Sequence, residues 1–389
     1  MLAAAGLAVA LAGVALAFAL ADGGPAPSAQ PATAEEEPPT LDGCADAPED
    51  ELRACYLDAL RALVAAAPDA PRAAEEAAEW AWADDGFLLP NCHGLMHTVG
   101  REYAAERGVT LATLMEHLPQ SNDPGCPAGF AHGVISAIAP ELGTGSPRAA
   151  VDACEDAGTS YQRYSCRHGF GHAFMRAHGE ELEPALDLCA ELGPPAPECA
   201  QGVFHDYWFS VAGFDGTEPA EEEPVTDPRE LCAVQREEFV RACWHRAFLE
   251  SRPVGFELAA GAELEALCAG LRGVQRSGCL TAASAIGPPQ PARQLALCSE
   301  LAGPDALDCI RGVKVQNLLN EPEETYVDEI RYCDLFLDRV RRGCYRLYGQ
   351  ALAVLTDGRF DGCAELDPEA ARACAAGTQA LEDPLETFS

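Results

Sequence analysis

The chain contains 389 residues, of which 48% are hydrophobic, and its 62 acidic residues outnumber its 26 basic residues, giving a net charge of −36. A chain of this length and composition can bury a large core, in one elongated domain or two compact ones. The acidic charge argues against nucleic acid and anionic membrane surfaces as partners, because both repel a negatively charged protein.

The N-terminal segment is typical of an exported protein. Residues 2–20 form an apolar run without a charged side chain, and Ala19-Leu20-Ala21 resembles a signal-peptide cleavage site. We therefore predict a signal peptide or N-terminal anchor at residues 1–21, followed by a disordered Pro/Ala/Glu-rich linker at residues 22–43. The protein is expected outside the cytoplasm, secreted or anchored to the outer face of the cytoplasmic membrane, with no other membrane contact.

Eighteen cysteines mark the rest of the chain in a regular pattern. Most fall in pairs spaced 10 to 12 residues apart, and in an exported chain they indicate disulfides rather than metal thiolates. The lack of any C-x2-C pair also argues against zinc-ribbon and thioredoxin-like proteins. The eight predicted local disulfides join residues 44/55, 154/166, 189/199, 232/243, 268/279, 298/309, 333/344 and 363/374.

The two remaining cysteines, Cys92 and Cys126, have no partner at this spacing. We predict that they pair with each other and link two neighbouring long helices. Two free thiols beside the histidines are the alternative.

The second cysteine of each pair, with Cys92 and Cys126, recurs at an average interval of about 35 residues, which is the period of helical-hairpin repeats. One unit is predicted to comprise a long helix at residues 166–177, a shorter helix at 182–192 and a turn at 193–195. Each local disulfide then joins the end of a short helix to the start of the next long one.

We therefore predict an all-α fold, a disulfide-stapled helical-hairpin repeat solenoid over residues 44–380, either open or curled into an α/α toroid, with a C-terminal tail at residues 381–389. In period, hairpin and cysteine placement it resembles Sel1-like and tetratricopeptide-type repeats. The resemblance implies a fold and no site, because the signature residues of those families do not match. Residues 215–228 form an acidic insertion, predicted as a solvated loop or as a lid.

Six of the nine histidines occupy related positions in four adjacent units. Three of them follow a helix cysteine by six residues, and two pairs are spaced four residues apart, which suits two ligands of one metal ion. Because the long helices of successive repeats lie side by side, all six are expected to line one concave surface. They are His93, His97, His132, His168, His172 and His205.

A group of imidazoles suits zinc, copper, iron or nickel better than magnesium or calcium. Glu102, Asp206 and Glu181 lie near these histidines in the sequence and are predicted to serve as outer or bridging carboxylates. The H-E-x-x-H, G-x-S-x-G and C-x-x-C-H motifs are absent, which argues against zinc proteases, serine hydrolases and covalently attached haem.

Two arginines, Arg101 and Arg176, each follow the second histidine of an i,i+4 pair by one further helical turn. They are predicted to bind a phosphate or carboxylate of a substrate, or the propionates of a non-covalent haem.

The leading hypothesis is an exported helical-repeat protein that binds a transition metal through the six histidines. The sequence does not decide whether it is also a metal-dependent enzyme. The alternative is a non-enzymatic scaffold or ligand-binding solenoid whose concave face binds a protein, a glycan, another small molecule or non-covalent haem. In that case the histidines are packing residues that hydrogen-bond to neighbouring backbone.

Overall fold

A computed structural model describes residues 40–48, 50–84, 86–142, 147–194, 196–211, 227–251, 261–285, 291–319 and 325–379. The predicted signal or anchor segment 1–21, the linker 22–43 up to residue 39, the insertion 215–228 up to residue 226, and the tail 381–389 lie outside the described residues.

The described chain is all-α, as predicted, with no β-strand among the residues just given. Its α-helices in chain order are α1 (Leu41–Cys44), α2 (Leu52–Ala66), α3 (Ala70–Asp84), α4 (Leu88–Arg107), α5 (Cys126–Ala137), α6 (Ala139–Leu142), α7 (Pro147–Cys154), α8 (Ser160–Ala177), α9 (Leu182–Glu191), α10 (Ala196–Val211), α11 (Pro228–Ala233), α12 (Val240–Ser251), α13 (Gly261–Leu267), α14 (Gly273–Ala285), α15 (Pro291–Ser299), α16 (Pro304–Leu319), α17 (Tyr326–Arg331), α18 (Asp338–Leu355) and α19 (Pro368–Thr378). Short 3₁₀ segments lie at Leu114–His117, Glu237–Phe239, Tyr332–Leu335 and Gly362–Glu365.

The helices form a repeat-like array. Each of the regularly spaced cysteines lies on its own helix, and these helices pack in chain order, each against the next. Shorter helices such as α7, α9 and α15 alternate with them and pack at their sides. The helices that carry these cysteines are α2, α4, α5, α8, α10, α12, α14, α16, α18 and α19.

Helix α8 begins at Ser160, so the sequence-based start at residue 166 is wrong by six residues. The cause is a capping box that fixes the helix start. The Thr159 hydroxyl accepts a hydrogen bond from the Gln162 amide at 3.1 Å, and the Gln162 side chain accepts one from the Thr159 amide at 3.2 Å. At the other end the helix stops at Ala177, as predicted, and Gly179 adopts a left-handed φ of 65°.

All eighteen cysteines form nine disulfides, with the predicted partners throughout. The Cys92–Cys126 bond joins α4 to α5, so the alternative of two free thiols is wrong. Each local disulfide closes a short loop and contributes about 2–3 kcal/mol by restricting the unfolded chain. This contribution matters here because a single helical hairpin buries too little surface to be stable alone.

Glycines let the histidine-bearing helices approach each other at backbone distance. A Cβ atom on Gly129 or Gly133 of α5 would collide with the carbonyl oxygen of His93 or His97 on α4. In the same way, a Cβ atom on Gly202 of α10 would collide with the carbonyl oxygen of His168 on α8. The helices therefore approach most closely at the backbone of the histidines themselves.

The array curves back on itself. Helix α18, near the C-terminal end, packs against α8. The Asn122 side chain joins the two regions, since its amide donates to the Leu355 carbonyl at 3.1 Å and its oxygen accepts from the Thr159 hydroxyl at 2.7 Å. The capped start of α8 is thus tied to the end of α18.

Replacing Gly202 by alanine tests the close approach of α8 and α10. The added methyl group meets backbone atoms, which cannot rotate away, so we expect Gly202→Ala to lower the free energy of unfolding by about 1–3 kcal/mol. Urea unfolding followed by circular dichroism measures the change. Glu106→Ala, at an exposed position of α4, is the control and should stay within about 0.5 kcal/mol of the parent protein. Equal stability of the two variants would contradict the packing described.

Candidate metal centre

The six predicted histidines converge on one cluster. They come from four helices that pack one after another, with two histidines on α4, one on α5, two on α8 and one on α10. Neighbouring imidazole rings have centroids 4.7–5.7 Å apart. We call this group the histidine cluster; its members are His93, His97, His132, His168, His172 and His205.

The cluster lies mostly inside the protein, whereas the sequence predicted a row on a concave surface. His168 and His172 are 1% exposed and His132 and His205 are 4% exposed. The reason is that α8 packs between α5 and α10, so its histidines lie among the histidines of the neighbouring helices. The other two members, His93 and His97, are partly exposed.

Three groups of side chains bring their ligand atoms within 4.8 Å of one another. They are His93, His97 and His132; His132, His168 and His172; and His97, His172 and Asp206. Each group shares a histidine with each of the others, so the three groups form one continuous set of ligands. Exposed acidic residues often approach one another without a metal, but these groups consist almost entirely of imidazoles.

His93 has one nitrogen directed into the cluster. Its Nδ1 donates a hydrogen bond to the Pro124 carbonyl at 2.7 Å, which leaves the lone pair on Nε2. That Nε2 atom lies 3.1 Å from Nε2 of His97. Two nitrogen ligands at about 2.0–2.1 Å from a tetrahedral zinc ion lie roughly 3.3 Å apart, so this separation suits two ligands of one ion.

His172 shows the pattern expected of a metal-binding histidine. Its Nδ1 donates to Oδ1 of Asp206 at 2.7 Å, while its Nε2 is buried and has no hydrogen-bond partner among the described residues. A carboxylate on one ring nitrogen commonly orients the other nitrogen toward a metal and raises its basicity. Asp206 is thus in contact with the cluster through His172, and its role as a supporting carboxylate stays a prediction.

His132 and His205 make weaker hydrogen-bond contacts than His93 and His172 do. Nε2 of His132 shares a hydrogen bond with the Ser165 hydroxyl at 3.0 Å, and its Nδ1 is buried without a partner. His205 Nδ1 lies 3.5 Å from Nε2 of His168, at the limit of a hydrogen bond. His205 thus belongs to the cluster but to none of the three close ligand groups.

Five members of the cluster have lowered pKa values, which favours their neutral imidazole form. Burial, followed by the positive charge of Arg246 and of neighbouring rings, lowers the pKa of His93 to about 4. Neutral imidazoles have a lone pair available for a metal ion. Burial is also the main cause that lowers the pKa values of four other members well below the usual range: His97, His132, His168 and His205.

The other predicted site residues lie elsewhere. Glu102 does not join the cluster, because its two oxygens accept hydrogen bonds from the Arg61 guanidinium of α2 at 2.6 and 2.7 Å. Glu181 is exposed at the start of α9. Arg101 and Arg176 line a shared open groove with Ser136 and neighbouring residues, one helical turn beyond the cluster. Their predicted role in anion binding remains a prediction.

Sequence reasoning missed Arg246 on α12. Its Nη2 lies 3.5 Å from Nδ1 of His168, and Tyr164 hydrogen-bonds to the same guanidinium. The sequence contained a partial signal for α12, because His245 follows Cys243 by two residues, as His168 follows Cys166 on α8. His245 is buried, yet it belongs to none of the three ligand groups.

No protein-family model, curated protein or solved structure matches this chain. In the part of the chain that the structure describes, no helix is both long and apolar enough to cross a membrane. The nine disulfides indicate an extracellular or otherwise oxidising compartment. The function must therefore be argued from the buried histidine groups, which have the composition and spacing to hold a metal ion.

The metal-free protein should lose stability as the pH falls below about 6.5, the usual pKa of histidine. The folded state lowers the pKa of His93 to about 4, so between these values the unfolded chain binds a proton that the folded chain excludes. Each such imidazole lowers the free energy of unfolding by about 1.4 kcal/mol per pH unit. Urea unfolding in EDTA, at several pH values from 7.5 to about 5, measures the slope.

The His93→Asn variant should show a shallower slope, because one titrating imidazole has been removed. His178→Asn, which changes a histidine at the end of α8 outside the cluster, is the matched control and should keep the parent slope. Stability that stays constant over this pH range in the parent protein would contradict the buried, neutral cluster.

Proposed function

We propose that this chain is an extracytoplasmic helical-repeat protein whose histidine cluster binds a transition metal ion. The observation that carries the proposal is His172, which has Asp206 on one nitrogen and a buried, unpartnered nitrogen directed among other imidazoles. The order of helix packing and the contact of α18 with α8 support a disulfide-stapled solenoid that curls back on itself. The disulfides support a location outside the cytoplasm.

A metal explains the cluster better than packing does. A buried polar atom without a hydrogen bond costs about 1–3 kcal/mol, and both His132 and His172 contain such an atom. Histidines that merely packed would satisfy both ring nitrogens with backbone or hydroxyl groups. A metal ion satisfies the lone pairs of several imidazoles at once.

The ligand chemistry favours zinc, copper or iron. Imidazole nitrogens supported by a carboxylate suit these ions, whereas magnesium and calcium prefer sets of oxygen ligands. All eighteen cysteines are in disulfides, so no thiolate takes part. At equal availability, the Irving–Williams order makes Cu²⁺ the most tightly bound of the divalent candidates.

Access to the cluster supports binding of a small molecule at the metal. His93 and His97 are partly exposed, while the histidines of α8 are almost fully buried. Structural metal sites are usually closed by four protein ligands, whereas sites that act on a ligand keep an open side. A centre open on the α4 side has the form of the second kind, which supports a ligand-binding or catalytic role.

Metal content tests the proposal directly. Protein purified without a histidine tag should contain at least one equivalent of zinc, copper or iron by elemental analysis. His172→Ala should lower the metal content, and Asp206→Asn should weaken the affinity about 10- to 100-fold because the ligand loses its supporting carboxylate. His178→Ala removes a histidine outside the cluster and should leave metal content unchanged.

The opposite outcome is equally clear. If the purified protein contains no metal, and added Zn²⁺ or Cu²⁺ leaves the melting temperature unchanged, the histidine cluster is a packing feature and the proposed function is wrong.

A further inference from the structure

The histidine cluster consists of two similar halves. On α4, residues 93–101 read H-G-L-M-H-T-V-G-R, and on α8 residues 168–176 read H-G-F-G-H-A-F-M-R, with histidine, glycine, histidine and arginine at matching places. Each of these helices packs against a second helix that reads C-x-x-G-x-x-H, namely α5 and α10. The first half thus contributes His93, His97 and His132, and the second contributes His168, His172 and His205.

The two halves also match in three dimensions. The ring centroids within the first half are 4.8, 5.1 and 5.4 Å apart. The corresponding pairs within the second half are 4.9, 5.7 and 4.9 Å apart. The glycine of the C-x-x-G-x-x-H motif makes the same contact in each half. Gly129 packs against the backbone carbonyl of His93, and Gly202 packs against that of His168. The match is closest in ring position: the ligand atoms of His93, His97 and His132 all lie within 4.8 Å of one another, whereas in the second half Nδ1 of His205 lies 3.5 Å from Nε2 of His168 and His205 joins no such group.

We propose that the cluster is a two-metal centre, with one transition metal ion on each three-histidine half. This inference rests on the proposed function, since it assumes that the cluster binds metal. Three histidines with an open fourth position form a common site for zinc and related ions. A neutral imidazole binds only one ion, so six imidazoles divide naturally between two ions.

The contact between the halves suits a binuclear centre. Ring centroids across the boundary are 4.7 Å apart for His132 and His168, and 4.8 Å apart for His97 and His172. Two-metal enzymes hold their ions about 3.5–4 Å apart, a spacing that such adjacent ligand sets allow. Asp206 lies at the same boundary, because it shares a ligand group with His97 of the first half and His172 of the second.

Titration of the metal-free protein with Co²⁺ or Cu²⁺ tests the number of ions. The parent protein should bind two equivalents, and two Cu²⁺ ions at this separation should give a spin-coupled electron paramagnetic resonance spectrum. His97→Ala in the first half and His205→Ala in the second should each bind one equivalent and give the spectrum of an isolated ion.

The outcomes separate this inference from the proposed function. A parent protein that saturates at one equivalent, and loses all metal in both half-site variants, has a single ion; the two-metal inference is then wrong while metal binding stands. A parent protein that binds no metal overturns both. Retained helical circular dichroism in each variant shows that a loss of metal is not a loss of fold.

A second inference follows from the charge around the cluster. Among the described residues, the charged side chains that contact the cluster are the Asp206 carboxylate at His172 and the Arg246 guanidinium at His168. One divalent ion, and still more two, would leave an excess of positive charge in a site shielded from water, which is unfavourable without an anion. Arg246 is partly exposed and lies at the second half.

We infer that a small anion binds the metal centre on its Arg246 side, so that the ligand or substrate of this protein carries a negatively charged group. The guanidinium donates charge-assisted hydrogen bonds to such a group. Tyr164 hydrogen-bonds to Arg246 and also donates to Gln201 at 2.6 Å, which holds the guanidinium in place.

Azide is a suitable probe, because its binding changes the visible spectrum of bound Co²⁺. Arg246→Gln should weaken azide binding about 10- to 100-fold at unchanged cobalt content. Arg246→Lys keeps the charge, so its azide affinity should lie between those of Arg246→Gln and the parent protein. A merely structural role does not produce this pattern. Arg241→Gln, on the same helix at a residue that bonds Ser277, is the control and should bind azide as the parent does. Equal azide affinity in Arg246→Gln and the parent protein would overturn this inference and leave the metal proposal intact.

Discussion

The histidine site depends on the close approach of helix backbones at glycine. Gly129 and Gly133 let α5 lie against the carbonyls of His93 and His97, and Gly202 lets α10 lie against that of His168. Imidazoles are short, so helices at an ordinary separation of about 8–10 Å leave side chains on different helices with little overlap. At the closer distance, rings from four helices meet within 4.7–5.7 Å. At α4 and α5 the Cys92–Cys126 disulfide also joins the two closely packed helices.

Burial then decides the chemistry of the site. The same packing that gathers the imidazoles removes water from them. It lowers the pKa of His132 and leaves ring nitrogens without partners at His132 and His172. A set of neutral, desolvated ligands is unfavourable alone and favourable around a cation. Within the described part of the chain, Asp206 adds a negative charge in direct contact with the cluster, and its hydrogen bond to His172 determines which nitrogen of that ring faces inward.

The features that could be predicted from the sequence are those that depend on local spacing. The nine disulfides follow from cysteine separations, and the membership of the cluster follows from histidines at matching positions of successive units. Features that depend on contacts between segments far apart in the sequence could not be predicted. Helix α8 carries no sign that α18 returns to pack at its start, and Glu102 carries no sign that Arg61 of α2 forms an ion pair with it. One arginine on α12 does not stand out among the many arginines of the chain. The missed capping box at Thr159 was readable, and was obscured by the cysteine taken as the helix start.

The disulfide pattern has a consequence for how the protein is made. Every cysteine is joined to the next cysteine along the chain, from Cys44–Cys55 to Cys363–Cys374. A polypeptide that emerges N-terminus first can therefore be oxidised in order, each thiol meeting its correct partner before a wrong one has appeared. The Cys92–Cys126 disulfide has the longest separation between its two cysteines, 34 residues. Reshuffling of mispaired disulfides, a process that takes seconds to hours, has no necessary place in such a pathway. The histidine cluster would be assembled unit by unit as the oxidised helices stack.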